Sequence, residues 1–139
     1  MKNITVAICI DERGGMLFNH RRQTSDVQII DDMVERFGEN GVFIKDFYAK
    51  LFQKYENVTV SSFPISECSE NALCFIENPE ILNITDDVER IVVYNWCKSY
   101  PADEYFTLDL IDIGFIRISK EKFSTEYRQK VTREVFKRA

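Results

Sequence analysis

A single histidine, His20, a single tryptophan, and four cysteines without C-x-x-C spacing leave this sequence little material for metal chemistry. A zinc hydrolase of the metallo-β-lactamase type, built on several histidines, is excluded by that count. No apolar run approaches the ~20 residues of a membrane-spanning helix. The amino-terminal residues alternate like a strand, whereas a signal peptide shows a basic stretch followed by a long apolar one. The expected location is therefore cytoplasmic, where the N-x-T triplets at Asn3, Asn57 and Asn83 are without consequence. Blocks of like charge are also missing. The net charge of -5 comes from 18 Lys and Arg against 23 Asp and Glu spread along the chain. Phosphate binding depends on clustered Lys and Arg, so neither nucleic acid nor an anionic membrane is an expected partner. No P-loop, G-x-S-x-G or EF-hand string is present, and no metal or cofactor site is expected.

The 139 residues fit one domain; 45% are hydrophobic and 29% charged, and 11 Phe and 6 Tyr supply a core of large side chains. Ile4, Val6, Ile8 and Ile10 alternate with Thr5, Ala7 and Cys9, which predicts a strand buried on both faces. Residues 11–24 read as a loop opened by Gly14-Gly15. Ser25, with Gln28 three residues on, predicts a capped helix with Val27, Ile30, Met33, Val34 and Phe37 on one face, closed by Gly38. A short strand over 41–44, an amphipathic helix carrying Phe47, Tyr48, Leu51, Phe52 and Tyr55, and a strand over 57–62 follow. Residues 63–71 read as a loop and 72–76 as a fully apolar strand. Strands are also predicted over 90–97, 115–119 and 128–137, although the last segment is rich in helix formers. Strands alternate with helices early and stand alone late. That order predicts an α/β fold, a mostly parallel central sheet in a three-layer αβα arrangement ending in an antiparallel hairpin.

Cys9, Cys74 and Cys97 fall in apolar strand-like runs, where free cysteine acts as a small hydrophobe. Cys68 lies in a polar stretch and is the candidate reactive thiol. Trp96 and Tyr94 read as core, with stacking on a ligand ring as the alternative. Asp31-Asp32 and Asp86-Asp87 read as solvated faces, because neighbours on a helix point about 100° apart.

The order of segments resembles the dihydrofolate reductase fold over nearly the whole chain. Ile4–Ile10 resembles the first strand of that family, and Gly15-Met16 with the segment to Gln23 resembles its mobile substrate loop. Asp26 stands near the position of the family's active-site carboxylate. Val42-Phe43-Ile44 resembles the strand leading to the cofactor phosphates, and Val58–Ser62 the next strand with its serine. Glu89–Leu110 and the closing Glu134–Arg138 are similar to the family's last strands. The string Gly14–Gln23 is also similar to one in small bacterial proteins of unassigned activity.

The departures bear on chemistry. The family has a Gly-Arg or Gly-Lys turn at the dinucleotide phosphates, and this chain has Lys45-Asp46. A Gly-Gly pair that admits the pyrophosphate is replaced by Glu77-Asn78, and the cation after the strand serine by Phe63. The arginine that pairs with a folate carboxylate is replaced in the Tyr55-Glu56 region. Acidic groups facing a phosphate oppose its binding, so NADPH is not expected to bind in the family's manner, and hydride transfer then lacks a donor.

By the resemblance, the segment ending at Asp26 covers a substrate cleft. Arg21 or Arg22 would clamp a carboxylate or phosphate, Asn19 and Gln23 would read amide or base edges, and Asp26 would move or hold a proton. The plainer alternative is a solvated loop, with Asp26 favouring the positive end of the helix dipole and His20 exposed. Three functions stay open: a reductase-like protein without reductase activity that binds a small anionic or heterocyclic ligand; a protein-interaction or regulatory module, such as a homodimer through a strand edge; and a divergent NADPH-dependent reductase.

Overall fold

The computed structural model describes residues 2–18, 21–22, 27–76, 86–97, 102, 104–105, 109–125 and 130–139. The first strand, β1 (Ile4–Ile10), is buried along nearly its whole length. It lies between two parallel partners, β6 (Leu73–Phe75) and β7 (Val88–Asn95). Beyond β6 the sheet continues in parallel through β4 (Val42–Ile44) to β5 (Val58–Val60). On the other side β7 pairs antiparallel with β10 (Lys130–Arg138), which in turn pairs with β9 (Phe115–Ser124). The seven strands run in the order β5-β4-β6-β1-β7-β10-β9. The mostly parallel sheet and its closing hairpin match the sequence expectation.

Alternation along β1 sorts the core onto two faces. Ile4, Val6 and Ile8 join Ile91, Val93 and Phe115 on one side. Ala7 and Cys9 join Val92, Tyr94, Trp96, Val131 and Val135 on the other. There the helix α1 (Val27–Phe37) lays Ile29, Ile30 and Met33 against the sheet. The small side chains of Ala7 and Cys9 let the helix approach closely, which is why β1 reads large on one face and small on the other. Gly38 ends the helix, its N–H donating to the Val34 carbonyl at 2.9 Å.

Three segments depart from the sequence reading. Residues 15–18 and 21–22 are strands β2 (Gly15–Phe18) and β3 (Arg21–Arg22) rather than loop, and with β8 (Glu104–Tyr105) they form a second, three-stranded sheet. The expected helix around 47–55 is a 3₁₀ turn at Asp46–Tyr48 followed by turns. Its aromatics anchor the chain before an α-helical pitch is established. Tyr48 and Phe52 pack on Phe75 with ring centroids 5.0 and 5.2 Å away, and Tyr55 is tied to α1. The stretch 63–71 contains a one-turn helix, α2 (Pro64–Glu67), with Pro64 at its start, where a missing N–H costs nothing.

The cysteines also depart from expectation. All four are free, but Cys97 sits exposed at the end of β7, in a left-handed conformation (φ 60°). Cys68 is buried instead of reactive. Burial pushes its thiol up to about 11, with Lys2 opposing only weakly, so the nucleophilic thiolate is scarce at neutral pH.

Replacing Phe75, fully buried between Tyr48 and Phe52, by alanine is expected to cost about 3–5 kcal/mol. The check is urea unfolding followed by Trp96 emission; a loss below about 1 kcal/mol is incompatible with this packing.

Candidate functional site

In open α/β sheets the crevice outside the carboxyl ends of the strands, where connections diverge to opposite sides, is the place for a ligand. That point here is the end of β1. The chain leaves β1 through α1 to β4 and β5, comes back to β6, and then crosses over to β7. Backbone bonds continue the ladder just past these ends: Ile76 N–H donates to the Ala7 carbonyl at 3.0 Å, and Trp96 N–H to the Ile10 carbonyl at 2.9 Å.

Asp11 closes the end of β1. It is 1% exposed, and its Oδ1 accepts from the Arg13 and Gly15 N–H groups at 2.8 Å each. Gly14 turns the chain at φ 82°, a left-handed value that favours glycine. The turn launches β2, whose Leu17 and Phe18 pair with Arg22 and Arg21 of β3. Arg21 and Arg22 thus lie on a strand paired with β2, the strand that leaves the turn after β1. Asn19, His20, Gln23 and Asp26 lie outside the described residues, as do Ser25, Glu77 and Asn78.

The neighbouring carboxylate on α1 is Asp32. Its Oδ2 accepts from the Tyr94 hydroxyl and from Arg133 Nη1, both at 2.8 Å, while Oδ1 accepts from Arg36 Nε at 2.8 Å. Arg133 is almost wholly buried and also donates to Glu121 at 2.8 Å, with its guanidinium 5.4 Å from the Phe123 ring centre. Burial, then the Asp32 charge and its hydrogen bond, push the Tyr94 hydroxyl far above its usual range. The phenol therefore remains a donor. Asp31, one residue earlier, accepts from Tyr55 and from Lys54, the latter at 2.6 Å. Burial alone would raise the Asp31 carboxyl, but the hydrogen bonds from Lys54 and Tyr55 and the Lys54 charge hold it below the usual carboxylate range. Asp31 and Asp32 are therefore not the solvated pair expected from sequence. They tie α1 to the 49–55 segment on one side and to β7 and β10 on the other.

At the end of β5 the chain supplies its own anion. Glu67 of α2 accepts from the Ser61 hydroxyl at 2.7 Å and from the Phe63 N–H at 3.3 Å. After β4, Asp46 opens the 3₁₀ turn. Among the described residues no group of three or more His, Cys, Asp or Glu side chains can hold a metal ion, and no helix is long and apolar enough to cross a membrane. Sequence reasoning missed Asp11, Asp32, Arg133 and Glu67. Only Asp11 carried a local signal, as an aspartate ending an apolar strand just before Gly14-Gly15.

No protein-family model and no curated protein matches the chain. A solved structure does: a dihydrofolate reductase from Enterococcus faecalis, complexed with NADP(H) and RAB-propyl. It superposes with a TM-score of 0.67 over 97% of this chain and 95% of that one, at 9% sequence identity. The chain therefore has a dihydrofolate reductase-like fold.

Two outcomes follow from the carboxylates. Asp32→Asn leaves the buried Arg133 with the exposed Glu121 alone and is expected to cost about 3–5 kcal/mol in urea unfolding, whereas an apolar replacement of both Asp32 and Arg133 should cost much less. Asp31 has a lowered folded pKa. Its contribution is complete above the ordinary value of 3.8 and is lost as pH falls through the lower folded value. Melting temperatures of the wild type should accordingly fall more steeply than those of Asp31→Asn between roughly pH 5 and pH 2; parallel curves would rule this out.

Proposed function

We propose that the chain is a reductase-fold protein without NADPH-dependent reductase activity, which binds a small anionic or heterocyclic ligand at the Gly14–Asp26 segment. The observation that carries this reading is Glu67. The Ser61 hydroxyl after β5 and the Phe63 N–H are donors suited to a phosphate, and here the hydroxyl donates to the chain's own carboxylate while the N–H is shared between that carboxylate and Ser61 Oγ. A dinucleotide phosphate would have to displace a charge of its own sign. Asp46, at the neighbouring strand end, adds to the repulsion. The bridge from Asp31 to Lys54 and Tyr55 further supports a ligand smaller than a folate, because it joins α1 to the 49–55 segment in the region where the family's folate-pairing arginine is replaced. In this reading Arg21 and Arg22 take the ligand's anionic group, Asn19 and Gln23 its polar edges, and Asp26 holds or moves a proton.

A second reading, a homodimer through the edge of the sheet, is favoured by the ten-residue edge strand β9 and by Ile116 and Ile118, each about half exposed on it. Its charges oppose self-pairing. A two-fold antiparallel pairing sets a residue against its own copy, so registers centred on Lys120, Glu121 or Lys122 put like charges opposite each other. Light scattering on the purified chain is expected to give a monomer mass; a dimer mass would favour the interaction module.

A thermal-shift screen against NADPH, folates, nucleotides and small phosphates tests the main reading. A ligand at a hundred times its Kd adds ~2.7 kcal/mol to stability, a visible shift. The expected result is silence with NADPH and a shift with another anion that disappears in the Arg21→Ala, Arg22→Ala double variant. A shift with NADPH overturns the proposal, and silence across the panel transfers support to the interaction module.

A further inference from the structure

The opposite end of the sheet holds a cavity of about 220 Å³ that the reading above does not use. Its floor is Thr5 of β1 and Arg90 of β7, paired directly across the sheet on the face that α1 covers. The next residues along that face, Ala7 and Cys9, are sealed under α1. The helix stops at Phe37, and the space beyond its last turn is the cavity. Its walls are polar: Asn3, Asn40 and Asn71 contribute carboxamides, and Asn3 and Asn71 stand in left-handed conformations at φ 55° and 61°.

The four charges lining the cavity divide into two kinds. Arg36 is bonded to Asp32, and Glu89 faces Lys137 at 3.8 Å. Arg90 and Glu39 have no ion-pair partner among the described residues, and they do not pair with each other although both line the same space. A guanidinium and a carboxylate thus line one cavity without pairing to each other. Thr5 lines the same space, where its hydroxyl is within reach of a group that enters the cavity.

We propose that this cavity binds a small zwitterion of amino-acid size, with its carboxylate on Arg90, its ammonium on Glu39, and its polar groups on the asparagine amides and Thr5. Arg90 offers a planar, bidentate fit to a carboxylate. A dianionic phosphate is a poorer match, because Glu39 and Glu89 line the same space. The volume falls below the ~300–1,000 Å³ of pockets that take drug-sized ligands, which sets the upper size. The cavity lies at the other end of β1 from the turn at Gly14, so it stands or falls apart from the ligand proposed above.

The test is a titration of the ¹⁵N-labelled full chain with L-glutamine, acetate and methylammonium in turn, read from amide chemical shifts. L-Glutamine should shift the amides of Thr5, Asn71 and Arg90 saturably and bind at least tenfold more tightly than acetate or methylammonium. Arg90→Gln and Glu39→Gln, both surface changes whose folding the same spectra report, should each weaken it tenfold or more. Thr5→Val should weaken it as well without disturbing the rest of the spectrum. Shifts that grow linearly without saturating, equal affinity for acetate, or indifference to both charge variants would overturn the proposal.

Discussion

Every other element is arranged around a strand with no wet side. β1 has parallel neighbours on both edges and packed side chains on both faces, so its backbone groups must all be satisfied within the sheet. Parallel neighbours cannot be joined to it by tight turns, and crossovers are required. One crossover is α1, whose packing calls for the small Ala7 and Cys9 beneath it. The polar problem moves to the two ends of the strand. At the carboxyl end a buried aspartate accepts the N–H groups of the turn, and at the amino end a threonine lies beneath a cavity.

The charges complement this arrangement. Helix α1 reaches the sheet through apolar side chains and through Asp32, which collects donors from α1 itself, β7 and β10. A buried ion pair adds little net stability, because desolvation offsets much of the Coulomb attraction. Its effect is specificity: Arg133 is accommodated in the core only in the register that brings it opposite Tyr94 and Glu121. Asp11 and Glu67 act in the same way at the strand ends. The acidic composition thus goes in part into satisfying donors at the ends of the sheet strands.

Legibility followed the range of the interactions. β1, β6 and β7 were readable because a strand buried on both faces needs an apolar run whatever surrounds it. The 47–55 segment was misread because its aromatic spacing suits a helix, while the anchors of those aromatics, Phe75 and Asp31, come from distant parts of the chain. Cys68 was misread because its neighbours in sequence are polar and its neighbours in space are not. Of the candidate site, Gly14-Gly15 and the Arg21-Arg22 pair were visible, but the strands that carry them were not, since two to four residues show no period without a partner.

By itself the sequence determined the apolar runs that become strands, the glycines that turn the chain, and a supply of histidine too small for a multi-histidine metal site. Those properties rest on local sterics and on the water-fearing character of single residues, and they need no partner to be read. The pairing of charges was decided only by the tertiary structure. Asp32 and Arg133 are 101 residues apart, and nothing local distinguishes them from the other aspartates and arginines. Sheet order and register brought them to 2.8 Å, and the same topology left Arg90 and Glu39 facing one cavity without meeting.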